Sequence, residues 1–426
     1  MKSQGLLRVL SLGALITYGV GDILGAGIYA IVGKIAGHAG PLTWFSFSIA
    51  MGIVFLTALC YSELGSRFPK SGGVSIYIQE GFGHKWLSVL AGLLLFSATI
   101  LSMSTLSQAF IGYVRTLGFY FPNWLGVFSF FLILLLINLR GIKQSSIVNI
   151  VSTAIEVSGL LIVMVCGFMF LSKATHHIRP QEAMPGIVDI FQGTALAFFA
   201  FTGFEDLANV AEEVKEPEQN LPRAILSALG IAGFLYLAVS WIATSIISGH
   251  ELSQSEAPLL AVVQKSYPAI PTYLFSSIAI FAVANTCLLN YITASRLLYG
   301  MSKMNLLPRF LQHIHGKYQT PYMAIFVIFP LVLALGLVGT LQELASATSA
   351  IVLTIFSFSC IALIKIKLKG DRPNSNSKIF QIPMFVPWLA ILLNIAAISF
   401  LPIRNIIPAV IFIVVGLVLS WLWMKR

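Results

Sequence analysis

Charge is what this 426-residue chain has least of: Asp, Glu, Lys and Arg together make up 10% of it, against 57% hydrophobic residues. So thin a polar complement cannot cover a water-soluble globule, and a mean hydropathy of +0.88 makes the chain a polytopic membrane protein with lipid as its solvent. Cysteine is scarce as well. Cys60, Cys166, Cys287 and Cys360 each sit in an apolar stretch without paired metal spacing, so packed thiols are expected and a disulfide framework is not. The sequence has no H-E-x-x-H, no G-x-S-x-G and no clustered histidines, which removes the usual signatures of an intramembrane enzyme. It also lacks G-x-x-x-x-G-K-[ST], so it has no nucleotide-driven pump signature of its own. No cofactor or metal site is expected, and the adjacent pair His176 and His177, in an outer loop, reads as incidental. No basic, aromatic-interleaved soluble segment exists to bind nucleic acid, so the net charge of +10 reflects topology and anionic lipid headgroups.

What is present is a series of apolar runs. At roughly 20 residues per crossing, about twelve spans fit, near 10–36, 42–66, 86–114, 124–139, 147–172, 187–211, 223–248, 272–301, 322–340, 343–366, 383–401 and 405–424. Lys2 and Arg8 ahead of the first run imitate a signal peptide, but that run carries Asp22 and many spans follow, so it reads as a retained first helix. An even count puts both termini on one side. If that side is the inside, every one of the 26 basic residues except Lys34, Arg115, Lys173, Arg179, Lys265 and Arg404 falls in an inner segment. The positive-inside rule then predicts a multi-pass protein of the cell membrane with both termini cytoplasmic. One inner loop, Glu212 to Glu218, is acidic, and serves either as a solvated connection or in gating.

Two of the spans are interrupted by small residues. The first break is Gly25-Ala26-Gly27, and the second lies in Phe198-Phe199-Ala200-Phe201-Thr202-Gly203-Phe204-Glu205. Broken helices free N–H and C=O groups that hydrocarbon cannot satisfy, so such breaks survive where they line a cavity or bind something polar. Two matched breaks predict one binding site near the bilayer midplane of a secondary transporter. The helix restarting at Gly27 offers unpaired N–H groups and a positive dipole end to a carboxylate. Carbonyls near Leu24, Phe199, Ala200, Phe201, Thr202 and Gly203 can accept from an ammonium. The bland alternative for the first break is a close helix contact at Gly21 and Gly25. A formal G-x-G-x-x-A from Gly25 to Ala30 follows no strand, so it is a decoy for dinucleotide binding. Ser102, Ser104, Thr105 and Gln108 on the third span can add polarity to the cavity.

Several segments together resemble the amino acid-polyamine-organocation (APC) superfamily of permeases. They are Gly25-Ala26-Gly27-Ile28-Tyr29, Tyr61-Ser62-Glu63-Leu64 with Phe68-Pro69-Lys70-Ser71-Gly72-Gly73, the Phe-x-Gly-Phe-Glu region, Ala211 to Pro217 with Leu221-Pro222-Arg223, and Ser295 to Met301. The similarity covers essentially the whole chain. It implies an all-α, five-plus-five inverted-repeat fold of the LeuT type, with repeats at 1–180 and 181–370 and two additional helices at 371–426. It also implies an amino acid or small amine as substrate, held by its backbone at spans 1 and 6, and no enzymatic activity. A substrate sensor or channel is the competing class, and oligomeric state is left open.

Acidic residues at membrane depth are functional candidates by default. Asn149, Thr153 and Glu156 follow i, i+4, i+7 spacing and should form one polar stripe on span 5, with a comparable stripe, Thr286, Asn290 and Thr293, on span 8. Many proton-coupled relatives carry a lysine near the Glu156 position. A carboxylate there can take up a proton, help hold a sodium ion, or make a structural hydrogen bond. Asp22, just before the first break, is expected to neighbour Glu156 and share a proton with it, or to cap the broken helix. Of the adjacent pair Glu205 and Asp206, Glu205 is expected to face the cavity and to respond to protons, with Arg296 and Arg140 as possible partners for the rest. Glu63 is expected to be structural.

Overall fold

The computed structural model describes residues 10–25, 27–70, 73–140, 146–173, 182–318, 320–369 and 379–424. Ala26, the pair His176 and His177, and the polar loop from Asp371 to Lys378 lie outside them. Helices begin where the sequence supplies caps. The Ser11 hydroxyl accepts the Ala14 amide at 3.4 Å and opens α1 (Leu12–Leu24). After the first break come α2 (Gly27–Ala39) and α3 (Thr43–Arg67), separated by a tight turn at Gly40, whose φ of +48° favours glycine. Then follow α4 (Gly73–Phe82), α5 (Lys85–Arg115), α6 (Asn123–Arg140) and α7 (Ser146–Lys173). The next helix, α8 (Ile187–Ala197), gives way at the second break to 3-10 turns over Phe198–Phe201 and Phe204–Glu213.

Pro217 starts α9 (Pro217–Ile246), where its missing N–H costs nothing. Two short helices, α10 (Gly249–Gln254) and α11 (Pro258–Ser266), precede α12 (Thr272–Lys303), α13 (Tyr322–Val338), α14 (Leu341–Leu368), α15 (Phe385–Phe400) and α16 (Ile403–Met424). A capping box between Thr340 and Glu343 fixes the start of α14. Among the described residues, eight helical stretches are long and apolar enough to cross a membrane, one of them running from Gly27 to Arg67 through the Gly40 turn, and four shorter apolar helices accompany them. Together these match the twelve expected spans. What the hydropathy reading did not anticipate are α4, α10 and α11, which are too short to be spans.

The helices pack in reciprocal pairs. α3 lies on α9, α5 on α12 and α6 on α13, and the two broken helices lie on each other. Cross pairs repeat the pattern: α5 packs on α14 as α12 packs on α7, and α4 rests on α14 as α11 rests on α7. The result is an all-α, five-plus-five membrane protein with α15 and α16 added outside. Large apolar residues such as Phe128, Ile133 and Leu136 on α6, Val165 and Phe168 on α7, and Leu392 and Ile395 on α15 are exposed. These rows form the surface offered to acyl chains, and all four cysteines are buried.

Two connections tie the start of α1 and the ends of α3 and α14 to neighbouring chain segments. Leu10 donates its amide to the Glu213 carbonyl at 2.9 Å and accepts from the Lys215 amide at 3.0 Å, joining the start of α1 to the chain beyond the second break. Glu63, wholly buried, sits between Arg67 and Lys367, each at 2.7 Å, and accepts the Ile382 amide at 2.9 Å. The structural role expected of Glu63 is thereby specified: its carboxylate ties α3 to α14 and to the segment leading into α15.

Candidate functional site

The two breaks touch. Gly27 faces the backbone of Ala200, so that a β-carbon on Gly27 would stand 2.7 Å from the Ala200 carbonyl oxygen and overlap its Cα. Glycines also let α1 approach its neighbours, with Gly21 against the Thr153 hydroxyl of α7 and Gly25 against the Thr286 hydroxyl of α12. Break and close contact are therefore both present, although Gly21 and Gly25 meet different helices. At the second break Gly203 has φ +120°, a conformation few other residues adopt. The Phe199 carbonyl accepts the Thr202 hydroxyl at 2.8 Å, and the Ala200 carbonyl accepts Tyr236 Oη at 2.9 Å. The Phe199 carbonyl also takes the Thr202 amide at 3.3 Å, whereas the Ala200 carbonyl keeps a second lone pair for another donor.

Tyr236, on α9, was not anticipated. Its hydroxyl also reaches the Ile23 carbonyl at 2.6 Å, so one O–H spans both breaks. A tyrosine in the middle of an otherwise apolar span was the available signal, because a buried phenol needs a partner. Tyr29, just past the first break, donates to the Glu156 carbonyl at 2.7 Å, and Tyr113 donates to the Tyr29 carbonyl at 3.1 Å.

Glu156 is fully buried. Its Oε1 accepts Asn285 Nδ2 at 2.9 Å, while Oε2 has no hydrogen-bond partner. A β-carbon on Gly25 would be 3.2 Å from Glu156 Oε1, so this carboxylate stands directly behind the first break. Thr153, from the expected stripe, donates to the Thr17 carbonyl at 3.3 Å; the Asn149 side chain is outside those described. Asn285 was missed because the expected stripe on this helix began one residue later, at Thr286.

Asp22 stands three residues before Gly25 on α1. A β-carbon on Gly203 would be 3.3 Å from Asp22 Cγ, and the Gly203 amide donates to Glu205 Oε2 at 2.9 Å. Gly203 thus brings Asp22 next to Glu205, and among the described residues no hydrogen bond joins Asp22 to Glu156. Asp206 accepts Asn209 Nδ2 at 3.0 Å. Arg296 and Arg140 are exposed, and among the described residues neither pairs with Glu205 or Asp206.

A pocket of about 40 Å³ lies beside the crossing. At roughly 10–15 Å³ per water it holds a few waters, so a larger solute requires the helices to part. Asp22, Gly27, Phe199, Thr202, Gly203, Glu205 and Asp206 line it from the broken helices, Leu95, Ala98, Thr99 and Ser102 from α5, Thr286 and Asn290 from α12, and Thr348 and Val352 from α14. Leu24, Gly25, Ala200, Phe201 and Glu156 are not among the residues that line it. Of the four polar residues expected to contribute from the third span, Ser102 alone lines the pocket. Ser104 and Gln108 instead donate to the Val332 and Gly336 carbonyls of α13, and Thr105 bonds back to Leu101. At 100° per residue these positions cannot all share the Ser102 face.

A polytopic helical protein whose two broken helices cross beside a small polar pocket has the architecture of a membrane carrier. The chain belongs to the amino acid permease family, whose family model matches residues 7–424. It is 28% identical to the branched-chain amino acid permease BcaP of Bacillus subtilis over 447 aligned residues, covering 99% of this chain and 94% of that one. It is also 28% identical to the methylthioribose transporter of Bacillus subtilis, covering 100% and 95%, respectively. Human cationic amino acid transporter 4 is 28% identical over 87% of this chain and 61% of its own length. The APC resemblance and the expectation of amino acid transport are supported by these matches.

Proposed function

We propose that this protein is a secondary active transporter that moves an amino acid or a related small amine across the cell membrane by alternating access, driven by protons, with no enzymatic step. The single observation that carries the proposal is the contact of the two breaks, Gly27 on Ala200, beside a small polar pocket. In this scheme Leu24, Gly25, Ala26 and Gly27 and the segment Phe199, Ala200, Phe201, Thr202 and Gly203 hold the substrate backbone: N–H groups at the start of α2 take the carboxylate and carbonyls of both breaks take the amine. The repeats run over 1–180 and 181–370, with two additional helices over 371–426, and both termini are cytoplasmic by the distribution of basic residues. Reciprocal helix contacts support the repeat assignment.

Glu156 is the coupling group. Its Oε2 is buried without a partner, which suits a carboxyl that carries a proton in one state and releases it in another, since a bare intramembrane charge is costly. Asp22 and Glu205, the other two carboxylates expected to couple, line the pocket itself and balance charge within it. A sodium ion is the second possibility, favoured by the gathering of Glu156 Oε1 and the Thr286 hydroxyl around Gly25. Substrate counterflow in proteoliposomes separates a carrier from a sensor or channel. Uptake driven by an imposed pH gradient without sodium supports the proton; uptake that requires sodium and ignores the pH gradient replaces it.

A further inference from the structure

The pocket has a sign. Three carboxylates, Asp22, Glu205 and Asp206, line it, and no Lys, Arg or His does. Glu205 and Asp206 each have one oxygen engaged, by the Gly203 amide and by Asn209. Asp22 is only 6% exposed, and its Oδ2 has no hydrogen-bond partner. Among the described residues none of the three enters an ion pair. Gly27, at the start of α2, lines the same pocket, where helix N–H groups favour an anion. The cavity therefore combines an anion-favouring helix terminus with acidic groups that, among the described residues, enter no ion pair.

We infer that Asp22, seated beside Glu205 by Gly203 and joined by Asp206, takes a second cationic group of the substrate, so that this chain selects cationic amino acids over neutral ones. The inference rests on the carrier function proposed above and extends it to the substrate class. A neutral apolar side chain beside the Asp22 carboxylate, whose Oδ2 is already shut off from water, would leave the group unsatisfied, whereas an ammonium or guanidinium supplies both a donor and the missing charge. Discrimination by an otherwise unpaired buried group is steep, because the wrong substrate leaves that group without a partner. A diamine carries the same cations without the carboxylate, and so separates the acidic groups from the helix terminus.

The test uses the full chain, purified in detergent and reconstituted, with L-lysine, L-leucine and 1,4-diaminobutane as probes for binding and for counterflow. The wild type is expected to bind lysine about tenfold or more tightly than leucine, with diaminobutane weaker than lysine. Asp22→Asn, which keeps volume, is expected to reduce the lysine-to-leucine ratio by about tenfold, and Glu205→Gln to reduce it less, because its amide oxygen still accepts from Gly203. If Asp22→Asn does not fold, the ratio in Glu205→Gln decides. Equal wild-type affinity for leucine and lysine, or an unchanged ratio in the folded variant, overturns the inference. Diaminobutane binding as tightly as lysine overturns the amino acid assignment in favour of a diamine. Leucine counterflow without lysine counterflow overturns the charge selection and leaves the carrier standing. Failure of all three probes to drive counterflow overturns the carrier function and this inference with it.

Discussion

Gly27 of α2 lies against the backbone of Ala200, so closely that only the Ala200 methyl accompanies main chain at the crossing of the two interrupted helices. The contact explains why small residues occur at both interruptions: each must present bare backbone to the other. Any β-carbon at Gly27 meets main chain, which cannot swing aside as a flexible side chain can.

Gly27→Ala and Gly27→Val should therefore both push the breaks apart. We expect substrate binding to fall by more than tenfold in the alanine variant and to vanish in the valine variant, measured by equilibrium binding to protein that remains monodisperse. Gly52→Ala is the control, since a β-carbon there meets nothing within 4 Å, and alanine is the better helix former. Undiminished affinity in Gly27→Val would remove this glycine from the site.

Tyr236 shares one hydroxyl proton between the Ile23 and Ala200 carbonyls. Tyr236→Phe keeps the ring and strips both carbonyls of their donor. A buried acceptor left unpaired costs about 1–3 kcal/mol, so the variant should show a lower apparent Tm in detergent and, because both breaks are loosened together, weaker substrate binding. A variant matching the wild type in both measurements would mean that water or substrate satisfies these carbonyls instead.

The spans, the two breaks and the buried acids were legible because each leaves a local mark: a long apolar run, glycines inside it, a carboxylate where lipid should be. Neighbourhoods were not. Asp22 was expected near Glu156, but its contact with Gly203 across the crossing was not foreseen, because a linear sequence does not say which residue of a second helix a side chain will meet. Tyr236 and Asn285 acquire meaning only from the partners that the fold brings to them. The helices α4, α10 and α11 escaped notice because hydropathy detects crossings, and these pieces do not cross.

Glu63 offers a test of stability rather than transport. Its carboxylate is fully buried between Arg67 and Lys367 and also holds the Ile382 amide. Removing one partner of a buried ion pair costs about 3–5 kcal/mol, because the remaining charge is left uncompensated. Glu63→Ala should therefore cause a large drop in thermal stability, with Lys367→Met milder, since Arg67 still balances the glutamate. If Glu63→Ala melts with the wild type, water reaches this node and the charges are not dry.

Glu156→Gln separates coupling from binding. Asn285 Nδ2 donates to Glu156 Oε1 at 2.9 Å, and the amide oxygen of glutamine accepts the same bond, so the helix contacts of α7 should survive. The substituted group cannot take up or release a proton. Net uptake requires the coupling group to be filled on one side of the membrane and emptied on the other, whereas exchange of substrate for substrate does not require it to empty. We therefore expect Glu156→Gln to bind substrate, to lose uptake driven by an imposed pH gradient, and to keep most of its exchange, all measured in sodium-free proteoliposomes. A variant that still accumulates substrate on a pH gradient would make Glu156 a structural residue and move the search for the coupling group to the carboxylates around Gly203. Restoration of uptake by sodium in the wild type, but not in the variant, would instead identify the gathering of oxygens around Gly25 as a cation site.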